Sequence, residues 1–127
     1  MSAKVALTIG AIAAAVLGLL LALAPVQMLS GFGLAAPNEA VVLSRDVGVT
    51  LLGLAVINWL AKDATGPAVR AVLLGNVVVQ MLELVVNSIE IASGALPSKA
   101  APGLLIHIVL GAVFVLGLRP TKAKASV

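Results

Sequence analysis

An all-α fold, a transmembrane bundle of four helices with both termini on the cytoplasmic side, is what this chain predicts. Three observations lead there. Hydrophobic residues make up 61% of the 127 and charged ones only 10%, whereas an ordinary soluble domain carries about a quarter charged residues. The apolar residues fall into four stretches of membrane-crossing length, separated by proline, glycine and charge. The lysines and arginines cluster at the ends of those stretches, mostly on one side. Aromatic residues are 2%, so the apolar mass is Ala, Val, Leu and Ile, a composition suited to close helix approach in lipid. A single membrane domain spanning residues 1–127 is expected.

The first span covers residues 5–24, with Thr8 as its only polar side chain. Roughly twenty apolar residues cross the hydrocarbon core once. Ala22-Leu23-Ala24 resembles a small-residue cleavage site, but the run is longer than a signal core and Pro25 follows directly, so a retained helix is expected. Residues 25–37 read as a loop with Gly31, Gly33 and a short amphipathic piece around residues 28–32. Asn38 suits a helix cap, and Glu39 suits the positive end of the dipole, opening a second helix at 39–61. A turn through Thr65 and Gly66 leads to Pro67 in first-turn position and a third helix at 67–92, which Gly94 and Pro97 stop. Pro102 opens the fourth, 102–118, before Arg119-Pro120 and a basic tail, residues 121–127, expected to be disordered and to serve only topology.

Lys4, Lys62, Arg70, Arg119, Lys122 and Lys124 fall on the side of the termini, Arg45 and Lys99 on the other. By the positive-inside rule the termini face the cytoplasm, and a bacterial inner membrane is the expected location. With no cysteine, disulfides and thiolate metal sites are excluded, and with one histidine an all-protein transition-metal site is not expected. No phosphate loop, nucleophile elbow or dinucleotide fingerprint is present, so no cofactor is expected. The basic residues form no aromatic-studded patch, which argues against nucleic acid despite a net charge of +3.

Chemistry concentrates on the third helix. Asn76, Gln80, Glu83, Asn87 and Glu90 are spaced four, three, four and three apart, which puts them on one helical stripe. Two carboxylates on one membrane helix are costly enough to suggest function. By depth, Arg45 and Asp46 on the second helix and His107 on the fourth fall in the same outer half of the bundle as Glu83, Asn87 and Glu90. The simplest arrangement pairs Arg45 with Glu83 or Glu90, with His107 bonded to the other carboxylate or to Asn87. Asn58 is expected to bond Asn76 or Gln80 purely for helix adhesion. The small stripe Ser44, Gly48, Leu51, Ala55 and Asn58 is expected to admit the third helix. Gly10, Ala14 and Gly18 form a packing face or, alternatively, a dimer face. Trp59 is expected at the cytoplasmic interface.

The leading reading is a protein that binds a small amphiphile, a lipid or quinone, whose polar end meets Arg45, Asp46, Gln80, Glu83, Asn87, Glu90 and His107. The bland reading of the stripe is interhelical glue, strongest for Asn76 and Gln80. A second functional reading is an acid–base enzyme using Glu83 or Glu90 with His107, since burial moves a carboxyl group toward neutrality. A third is a structural subunit of a homo-oligomer or membrane complex. A proton-coupled transporter is weaker still, because the first helix carries no carboxylate and aromatics are scarce.

Ala24-Pro25 after a Gly-containing first helix, the Phe32-Gly33 loop, the stretch Ser44-Arg45-Asp46-Val47-Gly48 and a compact fourth helix ending in Arg119 together resemble the small four-helix DoxX-like membrane proteins, particularly the DUF4345-type branch. The resemblance covers most of the chain. It implies a four-helix membrane fold; some proteins of this kind are subunits of quinone-linked or redox-associated membrane complexes, while many have no assigned activity. It carries no catalytic motif, and the lack of cysteine argues against thiol oxidation.

Overall fold

Each apolar stretch is helical in the computed structural model, which describes residues 1–119. The helices are α1 (Ala3–Leu23), α2 (Pro25–Gly31), α3 (Asn38–Ala61), α4 (Gly66–Ser93) and α5 (Pro102–Leu118), the last preceded by a 3₁₀ turn at Ser98–Ala100. All but α2 are long and apolar enough to cross a membrane. The basic tail at residues 121–127 lies outside the described residues.

The main departure from expectation is α2, which fills much of what reads as a loop. Pro25 disfavours helical backbone at the residue before it, and Ala24 accordingly sits at φ −130°, ψ 48°. The chain therefore breaks after α1 and restarts at once, with Pro25 in the first helical turn. Gly33 ends α2 at φ +79°. The Gly33 N–H donates to the Ser30 carbonyl (3.0 Å) and the Leu34 N–H to that of Leu29 (2.9 Å), a Schellman closure that favours glycine at the left-handed position.

Helix α1 is the centre of the bundle. It packs extensively on α3, α4 packs extensively on α5, and an α1–α5 interface joins the two pairs. Consecutive helices α3 and α4 meet over only a short stretch. Going round, the order is α3, α1, α5, α4, and the seam between α4 and α3 is left open.

The α1–α3 interface corrects one expectation and agrees with another. The small stripe on α3 receives α1 rather than α4: a Cβ on Gly48 would lie 2.6 Å from the Ala22 backbone nitrogen and 2.7 Å from the Gly18 carbonyl oxygen. The Gly10, Ala14 and Gly18 face packs inside the protomer, with Gly10 under the Phe114 ring and Gly18 on Gly48, which is the packing role expected of it.

The apolar core lies toward the end of the bundle that carries the N-terminus, where Ala6 and Leu7 of α1, Leu73 of α4 and Phe114 of α5 are buried together. The outside is as apolar as the inside. Leu43, Leu60, Met81, Leu82, Ile89 and Leu105 are each more than half exposed, which suits lipid as the surrounding solvent.

Polar contacts fix the N-terminal end. The Lys4 ammonium lies 2.7 Å from one Asp63 oxygen, and that of Lys62 lies 3.0 Å from the other, so the start of α1 and the α3–α4 turn share one end of the bundle. Lys62 also sits 4.1 Å above the Trp59 ring, an arrangement fit for a membrane interface. Hydrogen bonds from Lys4 and then Lys62 hold the Asp63 carboxyl below its ordinary 3.8. A depressed folded-state pKa means the carboxylate contributes stability above 3.8 that is lost as the pH falls through the folded value. Asp63→Asn is therefore expected to flatten the acid limb of a stability–pH profile below about pH 4. The effect is small because the group is exposed and screened. Parallel profiles for variant and wild type across that limb would show that the ion triad contributes nothing.

Candidate functional site

The polar stripe of α4 runs from the packed interior to an opening. Asn58 and Asn76 are 0% and 3% exposed and Gln80 6%. Asn87 and Glu90 are half-buried and Glu83 is exposed. Polarity is therefore sealed at one end of the stripe and accessible at the other.

At the sealed end the two asparagines bond reciprocally across the α3–α4 crossing. Asn58 Nδ2 donates to Asn76 Oδ1 (3.1 Å), and Asn76 Nδ2 donates to Asn58 Oδ1 (2.7 Å) and to the Val72 carbonyl (2.9 Å). This is the adhesive contact expected for Asn58. One turn further, His107 Nδ1 lies 2.9 Å from Gln80 Oε1. With oxygen facing the ring, Nδ1 carries the hydrogen and donates. The other ring nitrogen has no side-chain or backbone partner among the described residues and is not sealed from the surroundings, so it is free to accept a bond from a guest. At the open end, Asn87 Nδ2 donates to a Glu83 carboxylate oxygen (3.2 Å).

These groups face two adjoining cavities. The inner one, about 230 Å³, is floored by Asn76, Gly10 and Phe114, walled by Leu51 and Leu54 of α3 and Val79 of α4, and reaches Gln80, Glu83 and His107. The outer one, about 280 Å³, adds Asn87, Leu34, Leu96 and Leu104. Glu83, His107, Phe32, Leu21 and Gly103 line both, which makes them the neck. Val47, Leu51 and Leu54 face Val79 and Glu83 across the open α3–α4 seam, so the inner cavity lies beside the bundle's one unclosed side.

Four of the expected site residues converge: Gln80, Glu83, Asn87 and His107. Three do not. Arg45 and Asp46 are exposed on α3 and line neither cavity. Among the described residues the ion pairs are those of Asp63, so the expected bridge from Arg45 to Glu83 or Glu90 is not formed. The reason is azimuth. At about 100° per residue, Arg45 lies roughly 160° around α3 from Val47, which lines the inner cavity, and Asp46 about 100°. Glu90 sits about two turns beyond Glu83 at the neck and lines neither cavity, while its carbonyl serves Ser93 and Leu96. The expected partner of His107, a carboxylate or Asn87, is replaced by Gln80.

Met28 of α2 and Phe32, which caps its C-terminus, were not legible as site residues. The Gly31-Phe32-Gly33 sequence reads as a turn, yet α2 brings Phe32 into the neck against Gly103. A usable signal was present in retrospect: Phe32 is one of only two phenylalanines in the chain. No group of three His, Cys, Asp or Glu side chains able to hold a metal ion occurs among the described residues.

No family model matches this chain, and neither a curated protein nor a solved structure does.

Proposed function

We propose that this protein resides in the bacterial inner membrane, with cytoplasmic termini, and holds a small amphiphile such as a lipid or quinone-like molecule. The observation that carries the reading is a pair of adjoining cavities with five lining residues in common, apolar along their α1 and α3 walls, polar along α4, and beside the sparsely packed α3–α4 side. An amphiphile matches that polarity gradient: its chain enters between Leu51 and Val79, and its head stays at the neck with Glu83, Asn87 and His107. The depth from Glu83 to Asn76 is seven residues of α4, roughly 10 Å, enough for a chain segment beyond the head. The likeness to DoxX-like proteins belongs to the same proposal, and quinone is included among the guests on that ground.

The stripe itself divides. Asn76 and Gln80 are satisfied by Asn58 and His107 and act as adhesive, whereas Glu83 and the second His107 nitrogen face space. An acid–base enzyme is less favoured, because His107 is bonded to an amide and no carboxylate touches it.

Native mass spectrometry of the protein released from membranes tests the reading. Wild type is expected to carry a bound amphiphile. Leu51→Trp fills the inner cavity from its α3 wall and is expected to lose that adduct while keeping its helix content and unfolding midpoint. A wild type that flies empty, or a filled variant that retains its adduct, would overturn the proposal.

A further inference from the structure

We infer that the head group accepted at the neck is a cation, an ammonium carried on an apolar chain. The inference rests on the amphiphile reading above and names its chemical class. Among the residues lining the two cavities, Glu83 is the one carboxylate, and neither lysine nor arginine contributes. Arg45, the only basic residue within α3, points away to the exterior. Glu83 receives a hydrogen bond from Asn87 but no ion pair among the described residues. A carboxylate that lines both cavities without a countercharge among the described residues favours a guest that brings one.

Two neighbours fit the same guest. Phe32 lines the neck beside Glu83 in both cavities, and an aromatic face attracts a cation through its quadrupole. His107, its Nδ1 hydrogen committed to Gln80, presents an acceptor nitrogen that takes a hydrogen bond from N–H. Carboxylate, aromatic face and imidazole acceptor all favour a protonated amine, and none of them favours a carboxylate or phosphate head. Lys99 is the nearest opposing feature. Its side chain lies over Gly33, 3.3 Å from where a Cβ there would sit, outside both cavity linings. The source of the ammonium is either a free alkylamine or an aminolipid of the bilayer, and both present the same chemistry to Glu83.

The test uses the full chain in phosphatidylcholine nanodiscs with three probes of equal chain length: dodecylamine, dodecanol and dodecanoate. Dodecylamine is expected to bind about tenfold tighter than dodecanol through the ion pair and the aromatic contact, and dodecanoate no tighter than dodecanol. Glu83→Gln is expected to erase the amine preference while dodecanol still binds, which shows that the cavity remains folded. Phe32→Leu is expected to reduce the preference partly. Suppression of dodecylamine binding by phosphatidylethanolamine in the disc assigns the site to an aminolipid, and unaffected binding assigns it to a free amine. Equal or tighter binding of dodecanoate, or an amine preference that survives Glu83→Gln, overturns the cationic inference alone. Failure of all three probes to bind overturns the amphiphile reading with it.

Discussion

Replacing Gly48 with alanine is expected to destabilise the bundle by about 1–3 kcal/mol, and valine by more. The added Cβ would meet the Ala22 nitrogen at 2.6 Å and the Gly18 oxygen at 2.7 Å. Both are backbone atoms, so no rotamer change relieves the clash and α1 must move off α3. That interface is one of the two extensive ones in the molecule, and α1 also carries the contacts to α5, so the displacement reaches the whole bundle. Gly53 supplies the control. It lies on the same helix with nothing within 4 Å of its would-be Cβ, and alanine there is expected to be neutral or to stabilise by up to ~1 kcal/mol through helix propensity. Reversible unfolding in mixed micelles measures both. Equal stability of the Gly48 and Gly53 alanine variants would show that α1 and α3 do not meet as described.

The second large effect concerns the asparagine pair. Hydrogen bonds between membrane helices contribute about 0.6 kcal/mol on average and up to ~1.7, and two such bonds join Asn58 to Asn76. The single substitutions are not equivalent. Asn58→Leu leaves Asn76 with its bond to the Val72 carbonyl, whereas Asn76→Leu strands Asn58, fully buried, with no partner. An unsatisfied buried polar group costs about 1–3 kcal/mol. Asn76→Leu is therefore expected to be the more destabilising of the two, and the double Leu variant to be more stable than Asn76→Leu alone. A double-mutant cycle in the same micelles gives the coupling directly. Additive single effects would mean that the two amides are not bonded to each other.

The spans were legible because length and hydropathy alone decide whether a stretch crosses lipid, and Pro25, Pro67 and Pro102 mark restarts by their own geometry. The Asn58–Asn76 contact was legible too, since two amides at matching depth on consecutive helices have few other partners in hydrocarbon. Which helix packs on which was not. Gly48 and Ala55 admit any smooth neighbour, and nothing in their spacing distinguishes α1 from α4. Arg45 shows a different limit. Depth along a helix follows from residue count, and it correctly put Arg45 level with the acidic residues, but depth says nothing of direction. The cavity side of α3 is set by Val47, Leu51 and Leu54, and Arg45 falls nearly opposite. The site was half legible for that reason: Gln80, Glu83, Asn87 and His107 agree in both coordinates, Arg45 and Asp46 in one only.

The contrast between α1 and α4 has a consequence for how the chain enters the membrane during synthesis. The buried face of α1 is Gly and Ala with Leu7, all apolar residues that lose nothing by waiting in lipid as a lone span. By contrast, α4 bears Asn76, Gln80 and Glu83, a combination that resists solitary insertion, and its first partner, Asn58, lies just across a four-residue connection from α3. The nascent chain thus commits one tolerant helix first and then delivers α3 and α4 as a matched hairpin, with His107 arriving last to cover Gln80.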